Sequence, residues 1–167
     1  MRKIFAVLFA VGLTAARGPA EEPFQPDRVA RCLKSPRTAG LSVLSGNNPF
    51  YLRGDFDGDG KPDYALAVRS KTGGTGVLIC GGNGSLFLLG AGISGGSRFS
   101  DMEQDRFLAP QWAVYTKQDV TALGAFQVNV PRPVPTVKGE AIAMIWEDGI
   151  SLIYWDGSKF MWAGSKE

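Results

Sequence analysis

Residues 54–66 of this chain read GDFDGDGKPDYAL, and no other stretch restricts its folding so strongly. Asp55, Asp57, Asp59 and Asp63 occupy loop positions 1, 3, 5 and 9, with Gly60 at position 6. Carboxylates crowded this closely repel one another unless a cation lies among them. Hard oxygen donors at alternate positions, with a glycine that permits a sharp turn, are what Ca²⁺ coordination requires. The backbone carbonyl of Lys61, at position 7, adds a fifth donor, and water can complete the shell. The alternative for the residues taken alone is a solvated acidic turn without metal.

Two positions decide which kind of calcium loop this is. An EF-hand needs a bidentate Glu at position 12, on a helix continuing from the loop. Position 12 is Leu66, and Pro62 followed by the apolar run 64–68 predicts a strand. What remains is a strand–loop–strand site of the form DxDxDGxxD, closed by Asp63. Over residues 51–68 the chain resembles the FG-GAP/VCBS repeats, the integrin-alpha-type calcium loops. The resemblance implies that Asp55, Asp57, Asp59 and Asp63 bind Ca²⁺. It does not imply a propeller, because the flanking elements of a full repeat and a second acidic motif are both missing from the sequence.

The chain begins with Arg2 and Lys3, an apolar run over 4–13 and then Thr14-Ala15-Ala16. This is the pattern of a secretory signal peptide, 1–16 or alternatively 1–20, and its apolar run is too short for a bilayer-spanning anchor. Of 18 basic and 16 acidic residues, the segment 1–16 holds two basic and no acidic ones, so 18 − 2 = 16 balances 16. A neutral mature chain without a basic block argues against nucleic acid and against an anionic membrane as partners. The remaining length suits one domain, 21–167, with its own core. Export to a periplasmic or extracellular compartment favours a bridge between Cys32 and Cys80, the two cysteines of the chain. Two separate buried thiols are the alternative.

Val29, Cys32 and Leu33 share one helical face within 26–34, where Pro26 suits the first turn and Pro36 stops the helix. Strands are expected over 50–53, 64–69, 75–80, 85–89, 111–116, 141–147, 151–155 and 159–163. Residues 81–84, Gly-Gly-Asn-Gly, predict a hairpin turn. Residues 90–100 read as a surface loop, 101–108 as a short turn or loop, and Pro131, Pro133 and Pro135 as an extended segment barred from a central strand. The fold class is α+β, a mostly antiparallel sheet with a C-terminal meander and one N-terminal helix.

Catalytic signatures are weak. Gly90, Gly92 and Gly95 match GxGxxG, and Gly92, Ser94 and Gly96 match GxSxG, but neither has the helix or the proton acceptor it needs. The chain contains no His, which removes the commonest general base. The sequence therefore points to no enzyme, but to an exported calcium-binding domain with a structural Ca²⁺ site, serving as a binding or structural module for another protein. Glu140, Glu147, Asp148 and Asp156, with Trp112, Trp146, Trp155 and Trp162, leave a second reading. In it the chain is a carbohydrate-binding or glycoside-hydrolysing protein of the cell envelope, and its tryptophans share one accessible face.

Overall fold

The computed structural model describes residues 26–92, 111–125 and 129–164. The segment read as a signal peptide, the glycine-rich stretch beyond 92 and the expected turn at 101–108 lie outside the described residues. The chain runs α1 (Asp27–Leu33), a 3-10 turn (Pro36–Thr38), β1 (Ser42–Val43), β2 (Tyr51–Gly54), β3 (Asp63–Arg69), β4 (Thr75–Cys80) and β5 (Leu86–Gly90). It continues with β6 (Gln111–Tyr115), α2 (Lys117–Ala122), a second 3-10 turn (Leu123–Ala125), β7 (Ala141–Trp146), β8 (Gly149–Trp155) and β9 (Phe160–Ala163). The fold is thus α+β and mostly antiparallel.

The strands divide between two sheets. In the first, the order is β1-β3-β4-β5, and β2 also pairs with β3. The second is the meander β6-β7-β8-β9. Alternation along each strand explains how the two meet. Ala65 and Ala67 of β3, Val77 and Ile79 of β4, and Phe56 face Ile142 and Met144 of β7, Ile153 of β8 and Phe160 of β9 in one shared core. Leu66, Val68, Leu78 and Cys80 point the opposite way and pack beneath Val29 of α1. On the far side of the second sheet, Ala143 and Leu152 are covered by Val120 of α2, Leu123, Val130 and Val137. The central strands are therefore apolar on both faces, as strands buried from both sides must be.

Two details differ from the sequence expectations. Residues 40–49 contain the short strand β1, which continues the edge of the first sheet beside β3. The helix α2 was not anticipated, because one buried residue, Val120, gives its six residues no visible apolar period. Its start is set instead by a capping box in which Thr116 and Asp119 bond reciprocally. The Thr116 hydroxyl and its backbone N–H hold the Asp119 carboxyl below the usual carboxylate range.

Trp112 belongs to the core, and the other three tryptophans pack against it while partly exposed. Trp112 is 4% exposed, and its indole Nε1 donates to the Pro49 carbonyl at 2.6 Å, tying the second sheet to the lead into β2. Trp146, Trp155 and Trp162 are half-buried against the inter-sheet core, with Trp155 edge-on to Phe87 and Phe160.

Candidate metal centre

The acidic loop joins β2 to β3 and begins where the two strands pair last, at Gly54 opposite Asp63. Gly58 and Gly60 take φ of +74° and +82°, left-handed values that a side chain resists. The loop then folds onto its own carboxylates. Asp57 Oδ1 accepts the Asp59 N–H at 3.1 Å, Asp55 Oδ2 the Gly60 N–H at 3.1 Å, and Asp59 Oδ1 the Lys61 N–H at 2.8 Å. Local side chain-to-backbone bonding of this kind is what Asp offers a tight turn.

Asp55, Asp57 and Asp63 each bring a carboxylate oxygen to within 4.8 Å of the others. Oxygens that share one Ca²⁺ at about 2.3–2.6 Å lie no more than about 5 Å apart, so the three fit a common ion. A second feature points the same way. Asp55 Oδ1 is buried and has no hydrogen-bond partner, although its sister oxygen is bonded. An orphaned buried carboxylate oxygen is destabilising unless something positive reaches it. Asp59 is exposed and stands outside the close group, and the exposed Lys61 donates its N–H to Asp59.

Asp63 is the most constrained of the set. It is fully buried, with Oδ2 accepting the Phe56 N–H at 2.8 Å and the Asp57 N–H at 3.3 Å, and Oδ1 accepting the Gly82 N–H at 2.7 Å. Burial pushes its carboxyl above the ordinary range, the three N–H groups pull it down, and the neighbouring Asp57 charge raises it further. Phe56 and Tyr64 leave the loop on opposite faces of the first sheet, Phe56 into the inter-sheet core and Tyr64 toward α1.

Three supports for the loop come from residues far away in sequence, and only the paired chain reveals them. Gly82 and Asn83, in the turn after β4, reach Asp63 and Asp57, with Asn83 Nδ2 donating to Asp57 Oδ2 at 3.2 Å. Arg28 of α1 donates to the Pro62 carbonyl at 2.7 Å. Glu140, just before β7, exchanges two bonds with Asp55: its Oε2 accepts the Asp55 N–H at 2.7 Å and its own N–H donates to the Asp55 carbonyl at 2.7 Å. The loop is thereby docked on both sheets.

Of the other acids, Asp156 Oδ1 accepts N–H bonds from Ser158 and Lys159 within its own turn, while Glu147 and Asp148 are exposed at the β7–β8 turn. Cys32 and Cys80 are joined in a disulfide that links α1 to the end of β4.

The docking yields a test of its own. A Cβ at Gly139 would lie 2.8 Å from the Gly58 nitrogen and closer still to the Asp55 carbonyl oxygen, both of them backbone atoms. Gly139→Ala is expected to destabilise by about 3 kcal/mol, the upper range for overpacking, because backbone cannot swing aside. Gly60→Ala meets nothing within 4 Å and carries only the left-handed penalty of about 1 kcal/mol. Thermal unfolding of the two variants side by side measures the difference; equal losses would mean the close docking does not exist.

Comparison with protein-family models, with curated proteins and with solved structures finds no match to this chain.

Proposed function

We propose that the 55–63 loop binds Ca²⁺ and that the protein is an exported, calcium-stabilised binding or structural module, with a strand–loop–strand site of the FG-GAP/VCBS kind. The observation that carries this reading is the convergence of the Asp55, Asp57 and Asp63 carboxylates, together with the buried Asp55 Oδ1 that has no hydrogen-bond partner among the described residues. Asp55, Asp57 and Asp63 would hold the ion, and Asp59 and the Lys61 carbonyl would complete its shell after a small closure of the exposed side of the loop. Bound there, the cation supplies the positive charge that three clustered carboxylates lack. The metal's role is structural: it fixes the connection between β2 and β3 and, through Glu140, the seating of one sheet on the other. The disulfide and the N-terminal segment support an oxidising compartment. Among the described residues no helix is long and apolar enough to cross a membrane. The partner of such a module would be another protein.

Calcium is expected to raise stability by mass action. For a dissociation constant near 10⁻⁴ M, typical of extracellular modules, about 10 mM Ca²⁺ adds roughly 2.7 kcal/mol. In a domain of this size that is a rise of roughly 8 °C in the unfolding midpoint. Melting curves in EDTA, in Ca²⁺ and in Mg²⁺ test it. Identical curves in EDTA and excess Ca²⁺ would remove the proposal.

A further inference from the structure

Beside the metal loop, α1, the first 3-10 turn and the turn after β4 enclose a cleft of about 530 Å³. Arg28, Arg31 and Arg37 line it, and among the described residues no acidic one does. Arg28 commits one N–H to the Pro62 carbonyl and Arg37 one to the Leu86 carbonyl at 3.1 Å. A guanidinium carries five donors, so most of theirs are still uncommitted. Arg31 is exposed, and its side chain makes no hydrogen bond or ion pair among the described residues.

Three like charges around one concavity, with no acidic residue in its described lining, repel one another unless an anion joins them.

We propose that this cleft binds a tetrahedral oxyanion, a phosphate or sulfate group, clamped by Arg28, Arg31 and Arg37. Planar guanidinium forks match pairs of oxygens on such a group, and Arg meets them better than the point charge of Lys. A single basic cleft in a chain of net charge only +2 suits one compact anion, whereas a nucleic-acid backbone needs a basic stripe. The site does not depend on the metal reading, since its charges stand on α1 and the 3-10 turn and its test runs at fixed calcium.

The probe is sodium sulfate titrated calorimetrically into the purified chain, against sodium chloride at matched ionic strength. Sulfate is expected to bind saturably, and Arg31→Glu to weaken it about tenfold or more, as loss of a charged hydrogen bond does. Because the Arg31 side chain makes no bond among the described residues, the variant should melt like the wild type in chloride. Sulfate indistinguishable from chloride, or unchanged sulfate binding by Arg31→Glu, overturns the proposal. Cosedimentation with phosphatidylglycerol vesicles separates the sources of the anion. Vesicle binding that sulfate competes away assigns the group to a lipid headgroup, and sulfate binding without vesicle binding assigns it to a free oxyanion. Vesicle binding that sulfate leaves untouched overturns the cleft as the site.

Discussion

Replacing Asp63 by alanine is expected to lower folding stability by roughly 3–4 kcal/mol even in EDTA, when no metal contribution remains to be lost. The buried Asp63 carboxylate accepts two short bonds, from the N–H groups of Phe56 and Gly82 at 2.8 and 2.7 Å. Without it both donors are orphaned away from water, at about 1–3 kcal/mol each, and the longer Asp57 bond goes as well. Relief of a buried charge beside Asp57 offsets part of the loss. Asp57→Ala is the contrasting variant. Its carboxylate accepts only from Asp59 and Asn83, both exposed, so in EDTA it should stay within about 1 kcal/mol of the wild type while losing the calcium increment. Urea unfolding of both variants, with EDTA and with Ca²⁺, separates the structural from the metal-binding part of the loop. If Asp63→Ala matches the wild type in EDTA, the three N–H bonds are not the anchor described above.

Removing the disulfide is expected to have an effect of similar size by a different route. The bridge closes a separation of 48 residues, worth roughly 4 kcal/mol in the chain-entropy account because it restricts the unfolded chain. The consequence specific to this protein is local. Cys80 is followed by Gly81 and Gly82, and the Gly82 N–H holds Asp63. On the other side of the bridge, Arg28 of α1 holds the Pro62 carbonyl. Both attachments of the loop to the first layer thus run through elements the disulfide joins. Cys32→Ala with Cys80→Ala should therefore lower the unfolding midpoint and also weaken Ca²⁺ binding several-fold, since a looser loop must be ordered on binding. Calcium titration of the double variant well below its midpoint reads the second effect. An unchanged calcium affinity would show that the loop is held from the second sheet alone, through Glu140.

Most elements of the fold, though not β1 or α2, were legible in residue pattern because they are governed by local chemistry. Pro36 ends α1, Gly-Gly-Asn-Gly turns β4 into β5, and the proline series keeps 131–135 out of the sheets. The DxDxDGxxD spacing likewise announces converging oxygens, since Asp turns and left-handed glycines act within a few residues. Whether Cys32 and Cys80 are joined was open from sequence, and the placement of α1 against β4 decided it.

The division into two sheets was not legible. Alternation shows that Ala65 and Leu66 face opposite ways but not what each meets, because a period of two says nothing about which apolar face seeks which. Trp155 and Tyr154 posed the same ambiguity, and packing placed them in different cores. The surroundings of the metal loop were equally hidden. Glu140 is an ordinary acid in the sequence and becomes the clasp of Asp55 only because β7 starts beside the loop. Asp59 matches the motif as well as Asp63 does. Yet strand pairing draws Asp63 inward beneath the turn after β4, while Asp59 is left at the exposed tip, where nothing but its own turn positions it. Spacing along the chain thus determined which residues could be ligands, and burial by distant strands decided which of them are held in place.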